Sequence, residues 1–81
     1  MRKQNRNETP LHCAAKNNSK EVAEILINAG AELNSRNLDK MTPLHFSALY
    51  NSLFTAALLV KHGADINCVD INYNTPLLLA V

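Results

Sequence analysis

Apolar residues recur along this chain in short helical rhythms separated by polar stretches. Leu11, Ala14 and Ala15 fall at i, i+3, i+4, one face of a short helix. Val22, Ile25, Leu26 and Ala29 fall at i, i+3, i+4, i+7, the buried stripe expected of a second helix. Leu44, Ser47 and Ala48 repeat the first pattern, and Thr55, Leu58, Leu59 and His62 occupy the stripe of the second. Each rhythm carries its own boundaries. Thr9 and Thr42 can cap a helix through the hydroxyl, and Pro10 and Pro43 suit the first helical position, where a missing N–H is harmless. Asn18 and Asn51 sit where the chain must turn back, and Asn tolerates the left-handed conformation better than any residue but glycine. Ser19 and Ser52 are placed to cap the following helices, and Gly30 and Gly63 to end them. Glu21 in a first turn and Lys61 in a last turn both suit the helix dipole. Beyond each glycine, Asn, Asp and Ser dominate a stretch of tight turns.

The rhythms are periodic. Thr9-Pro10-Leu11-His12 returns 33 residues later as Thr42-Pro43-Leu44-His45, and again as Thr75-Pro76-Leu77-Leu78. Ala29-Gly30-Ala31-Glu32-Leu33-Asn34 matches His62-Gly63-Ala64-Asp65-Ile66-Asn67 at the same spacing. Two independent markers in one phase define a repeated helix–turn–helix–loop unit. The units read as 4–36, 37–69 and an incomplete 70–81, together one domain.

A 33-residue unit opening with T-P-L-H and closing with G-A-D/E-x-N resembles the ankyrin repeat, and the resemblance covers residues 4–81. It implies an all-α solenoid of stacked helix-turn-helix units with β-hairpin-like turns. It also implies that the motif histidine ties the turn to the helix, and that partner proteins meet the concave side. The chain departs from the family where glycine is usual: Asn7, Lys40 and Tyr73 stand before the Thr-Pro pairs, and Asn18 and Asn51 between the helices. Leu78 replaces the motif histidine in the third unit, and Phe54 stands where the first unit has Glu21. Asn34 and Asn67, with Leu26 and Leu59 eight residues earlier, match an asparagine that is hydroxylated in some members of the family. The plainer reading of both is a structural Asn that bonds the turn backbone.

Composition narrows the function classes. At 47% hydrophobic and 19% charged, with a net charge of +1, the chain is expected to fold and lacks the basic excess of a nucleic-acid module. The longest apolar run, Ala56–Val60, is far too short for membrane insertion. The basic, polar start of the chain shows no apolar signal segment, so a cytoplasmic or nuclear setting is expected, with Cys13 and Cys68 as reduced, half-buried thiols. Cys13 shares its repeat position with Phe46 and Leu79, which predicts packing. His12 and His45 lie a full unit apart, and no nucleophile–base pairing, phosphate loop or zinc spacing is present. The expectation is a non-enzyme with no cofactor, no metal and no small-molecule substrate.

The candidate partner surface combines the resemblance with side-chain chemistry. The family's concave side maps onto turn tips at Asn5, Arg6 and Glu8, then Leu38, Asp39 and Met41, then Ile71, Asn72 and Asn74. Arg36 and Val69 lie just before the second and third tips, and Lys16, Asn17, Leu49 and Tyr50 extend the surface along the first helices. Leu38, Met41, Leu49, Tyr50 and Ile71 are apolar at positions expected to face solvent, which marks binding sites; the competing reading packs Leu49 and Tyr50 against the turns. The leading expectation is a protein-interaction module. A regulatory or targeting segment of a larger enzyme or channel chain, with the activity elsewhere, is the alternative. Because Leu77–Val81 stops inside a first helix and about three units are needed for stable stacking, a piece of a longer array is expected. A shortened reading frame, or an oligomer that buries the open end, would also account for it.

Overall fold

The computed structural model of the chain describes residues 7–80, and five helices carry the fold. They are α1 (Pro10–Asn17), α2 (Lys20–Asn28), α3 (Pro43–Leu49), α4 (Leu53–Lys61) and α5 (Pro76–Ala80). The helices pair as α1–α2 and α3–α4. The first helices stack in a row, α1 on α3 on α5, and α2 stacks on α4. No strand forms among the described residues, so the family's hairpin-like segments are here closed turns. The expected tip residues Asn5 and Arg6, and Val81, lie outside the described residues.

Helix starts follow from the Thr-Pro pairs. The Thr9 hydroxyl accepts the His12 N–H at 3.2 Å while His12 Nδ1 accepts the Thr9 N–H at 3.1 Å, a reciprocal box that satisfies two donors left free at a helix N-terminus. Thr42 and His45 repeat it. Ser19 and Ser52 occupy the equivalent positions before α2 and α4, but neither hydroxyl caps. Their carbonyls accept the N–H groups of Ala23 and Ala56 at 2.9 Å each, the same first intrahelical bond that the Thr9 and Thr42 carbonyls make. Helix ends follow from left-handed residues. Gly30 and Gly63, at φ 91° and 92°, let Ala31 N–H reach back to Leu26 O and Ala64 N–H to Leu59 O, both at 3.0 Å.

Burial shows that each unit has a leading and a trailing side. Val22 and Ile25 are exposed on α2, whereas their equivalents on α4, Thr55 and Leu58, are buried and half-buried because α2 lies in front of them. Conversely Ala23 is fully buried against α4 while its equivalent Ala56 is only half-buried and Val60 is exposed. The stripe expected from periodicity, Val22, Ile25, Leu26, Ala29, is thus corrected to Ala23, Leu26 and Ile27, the residues that meet the core. The core itself is Leu11, Ala14, Ala23, Leu44, Leu59 and Ala64, an interleaving of large and small side chains that lets the helices approach closely. A polar side chain also reaches across the stack: Asn18 Oδ1 accepts from both the N–H and the hydroxyl of the buried Thr55, at 3.3 Å each.

All five positions where the family would place glycine are left-handed here, with φ of 65° at Asn7, 54° at Asn18, 61° at Lys40, 56° at Asn51 and 65° at Tyr73. Asparagine carries this conformation at modest cost, but lysine and tyrosine bear a Cβ clash of roughly 1–2 kcal/mol. Lys40 and Tyr73 are both exposed and bury little in return. Lys40→Gly and Tyr73→Gly are each expected to stabilise the fold by about 1 kcal/mol, raising the melting temperature by roughly 4–8 °C. Unchanged midpoints in a thermal melt would show that the strain is already compensated.

Candidate functional site

The tips that carry the candidate surface are built around one side chain each. Asn37 Oδ1 accepts the N–H groups of Asp39 at 2.9 Å and Met41 at 3.0 Å, while its own N–H donates to Met41 O at 3.0 Å. Lys40 N–H closes the turn on Asn37 O at 2.9 Å. In the next tip Asp70 does the same work: its Oδ1 accepts from Asn72 at 2.8 Å and Asn74 at 2.9 Å, and its N–H donates to Asn74 O at 3.0 Å. Asn37 and Asp70 are both buried. Burial works to raise the Asp70 carboxyl, but the N–H bonds from Asn74 and Asn72 and the nearby His45 outweigh it, so it lies below the ordinary carboxylate range.

The histidines join units. A carbonyl can only accept, so Nε2 of His12 donates to Met41 O at 2.7 Å, and Nε2 of His45 donates to Asn74 O at 2.8 Å. Each ring therefore holds the start of its own first helix with one nitrogen and the tip of the following unit with the other. Burial lowers the His12 pKa, against the Met41 bond and Glu8, which raise it. The tips are also tied to one another: Ile71 N–H donates to Asp39 O at 2.9 Å, and Asp65 N–H donates to Asn34 Oδ1 at 2.8 Å. The last bond gives Asn34 the structural role that its polar turn position implied.

The candidate residues divide on this geometry. Leu38 and Ile71 are 58% and 53% exposed and occupy the same place on adjacent, hydrogen-bonded tips. Leu49 and Tyr50 are 48% and 46% exposed at the end of α3. Tyr50 nevertheless leans on its neighbours, with its ring edge-on to Phe46 at 5.8 Å and Lys16 Nζ 5.7 Å from its centroid. Phe46 in turn meets the His12 ring at 5.0 Å, so aromatic contact runs from Tyr50 to the base of the Met41 tip. Met41 and Val69 are half-buried, as is Asp39, while Asn72 is exposed. Arg36 is exposed, but its guanidinium is committed to the backbone: Nε donates to Lys40 O at 3.3 Å and Nη2 to Val69 O. It clamps two consecutive tips.

Outside this surface, Cys13 proves exposed rather than packed, in a shallow depression with Pro10, Asn17 and Val22 on the leading side of α1. Its equivalent Phe46 is buried because α1 lies in front of it. Cys68 is half-buried and its thiol donates to Asp65 Oδ2 at 3.3 Å; burial and that carboxylate push the thiol up, away from thiolate reactivity. Among the described residues no group of three or more His, Cys, Asp or Glu is placed to hold a metal ion. No helix among them is long and apolar enough to cross a membrane.

Stacked helical hairpins with inter-unit bonds at a fixed period define a helical repeat solenoid. The sequence matches the family described as Ankyrin repeats (3 copies) over residues 1–70 and 29–81, and the chain belongs to that family. No curated protein matches the chain. Ankyrin repeats are generally protein-interaction modules rather than enzymes.

Two outcomes test this geometry. Arg36→Ala is expected to cost about 1 kcal/mol in urea unfolding, with Arg36→Lys failing to restore it because an ammonium lacks the planar fork; full stability in the alanine variant would make Arg36 a free surface group. His12 has a lowered pKa in the folded state, so its stabilising contribution is complete above the ordinary histidine value and disappears as pH falls through the depressed one. Urea midpoints are expected to decrease on going from about pH 7.5 to about pH 5, and His12→Leu to flatten that slope.

Proposed function

We propose that this chain binds a partner protein on the surface formed by its turn tips and the ends of its first helices. The observation that carries this reading is the pair Leu38 and Ile71: large apolar side chains more than half exposed, at one repeat position, on tips locked together through Asp39 and Ile71. Exposed apolar side chains on a rigid backbone bind with little ordering cost. Leu49 and Tyr50 enlarge the patch, and Tyr is enriched at binding hot spots. Met41, Val69 and Asp39 form its half-buried floor, Asn72 its polar rim, and Arg36 the clamp beneath. The free thiols Cys13 and Cys68 lie in different units and suit a reducing cytoplasmic or nuclear setting.

The experiment uses the chain as bait, recovers the proteins it captures, and titrates the principal one against bait variants. Tyr50→Ala and Leu38→Ser are each expected to weaken the complex by more than ~1 kcal/mol, about fivefold in Kd, with melting temperature unchanged. Phe54→Ser, on the exposed face of α4, is expected to leave Kd unaltered. A complex weakened by the Phe54 variant alone places the partner on the α2–α4 side and removes this proposal.

A further inference from the structure

A groove of about 490 Å³ runs along the trailing side of the second unit, walled by α3, α4 and α5. No charged side chain lines it. Its walls repeat those of a site that the chain itself fills. Leu44, Ala48, Asn51, Ala56, Asn67 and Leu77 line the groove, and one period earlier stand Leu11, Ala15, Asn18, Ala23, Asn34 and Leu44. In the first unit the equivalent site holds α4. Leu59 is fully buried in one cluster with Leu11, Ala14, Ala23 and Leu44, and Leu58 packs against it.

Asn18 fixes where that helix starts. α4 begins at Leu53, so the Thr55 N–H stands at the third helical position, one of the donors with no partner inside its own helix. The Ser52 hydroxyl does not cap it; Asn18 Oδ1 does, from the preceding unit, and takes the Thr55 hydroxyl as well. Asn18 is thus a helix cap supplied by a neighbour. Asn51 has the same left-handed backbone, φ 56° against 54°, and its side-chain oxygen receives no hydrogen bond among the described residues. The Ser47 hydroxyl, where the first unit has Ala14, is buried in the groove wall without a hydrogen-bond partner among the described residues. Leu53 and Val60 on the rim are exposed, where the first unit has Lys20 and a half-buried Ile27. Unused polar groups beside an exposed apolar rim mark a surface that an occupant completes.

We propose that this groove receives one amphipathic helix of a partner protein, seated as α4 is seated on the first unit. The interface that holds α4 continues directly onto it. The occupant is defined by its chemistry: a helix start with Thr or Ser at the third position, set against Asn51, and large aliphatic residues three and four positions further on, as in Thr55, Leu58 and Leu59. The face it presents carries no charge. The groove shares no residue with the tip surface, so the two proposals stand or fall separately.

A synthetic peptide spanning residues 51–63, whose counterpart in the chain fills the first-unit site, is the probe. Titrated into the isotopically labelled whole chain, it is expected to bind one to one and to gain helical circular dichroism. The amides of Ala48, Ala56 and Ile66 are expected to shift while those of Ala15, Ala23 and Leu33 hold still, which separates the groove from displacement of α4. Val60→Glu, at an exposed position, is expected to weaken binding about tenfold or more. Asn51→Gly keeps the left-handed turn and removes only the acceptor; about threefold weaker binding is expected. Thr55→Val in the peptide leaves the chain untouched, and is expected to weaken binding to the native chain but not to the Asn51→Gly chain. Absence of saturable binding, amide shifts outside the groove, or equal loss from Thr55→Val with both chains overturns the proposal. Light scattering that shows the native chain dimeric and the Val60→Glu chain monomeric assigns the groove to a second copy and overturns it too.

Discussion

The architecture depends on a bond from an imidazole to a main-chain carbonyl one unit away. Helices as short as eight or nine residues are not stable alone in water. They persist because each unit covers the next, and the cover must be held in register. Hydrophobic contact between leucines and alanines is non-directional and would tolerate sliding. His12 to Met41 O, and His45 to Asn74 O, supply the direction. Because the same rings close the helix starts at Thr9 and Thr42, local and inter-unit order form together. The third unit shows the contrast: Leu78 offers no ring, and its N–H meets the Thr75 hydroxyl at a long 3.4 Å.

Much of this was legible in the sequence, for reasons that differ by element. The Thr-Pro helix starts, the Asn18 and Asn51 turns and the terminal glycines were readable because each has a local cause. Asn37 and Asp70 were not singled out, although both build the tips. Their signal was present as two Asx residues one period apart, but only the folded turn shows their oxygens receiving two N–H groups each. The buried stripe of α2 was misassigned because periodicity assumes one covered face. A middle helix in a stack has two, and an outermost helix keeps only the one that meets its neighbour. Cys13 failed for the same reason, since its equivalence with Phe46 holds in sequence but not in surroundings. Ser19 and Ser52 had the right residue type at the right place, yet neither hydroxyl makes a capping bond in the folded chain. Of the candidate surface, exposure of Leu38, Leu49, Tyr50 and Ile71 matches the expectation from position, while the use of Arg36 as a clamp had no local signature.

The tip row behaves as a small ladder without strands. Arg36 and Asn34 link neighbouring units by side-chain bonds to main-chain groups, and the Asp39–Ile71 bond joins the tips backbone to backbone, whatever side chains those positions carry. The side chains at Leu38 and Ile71 are thereby released from structural duty and stay available to solvent. Separation of frame from display is what allows repeat proteins to vary their partners without refolding.

Five side-chain-bearing residues sit in left-handed backbone where the family commonly has glycine, with only Gly30 and Gly63 keeping it. The consequence reaches beyond the native state. A residue with a Cβ samples fewer conformations when the chain is denatured, so the entropy lost on ordering these turns is smaller than glycine would lose. Strain in the finished turn and a narrower disordered ensemble thus oppose each other at the same five points, and the turn segments begin their search for structure from a stiffer starting chain.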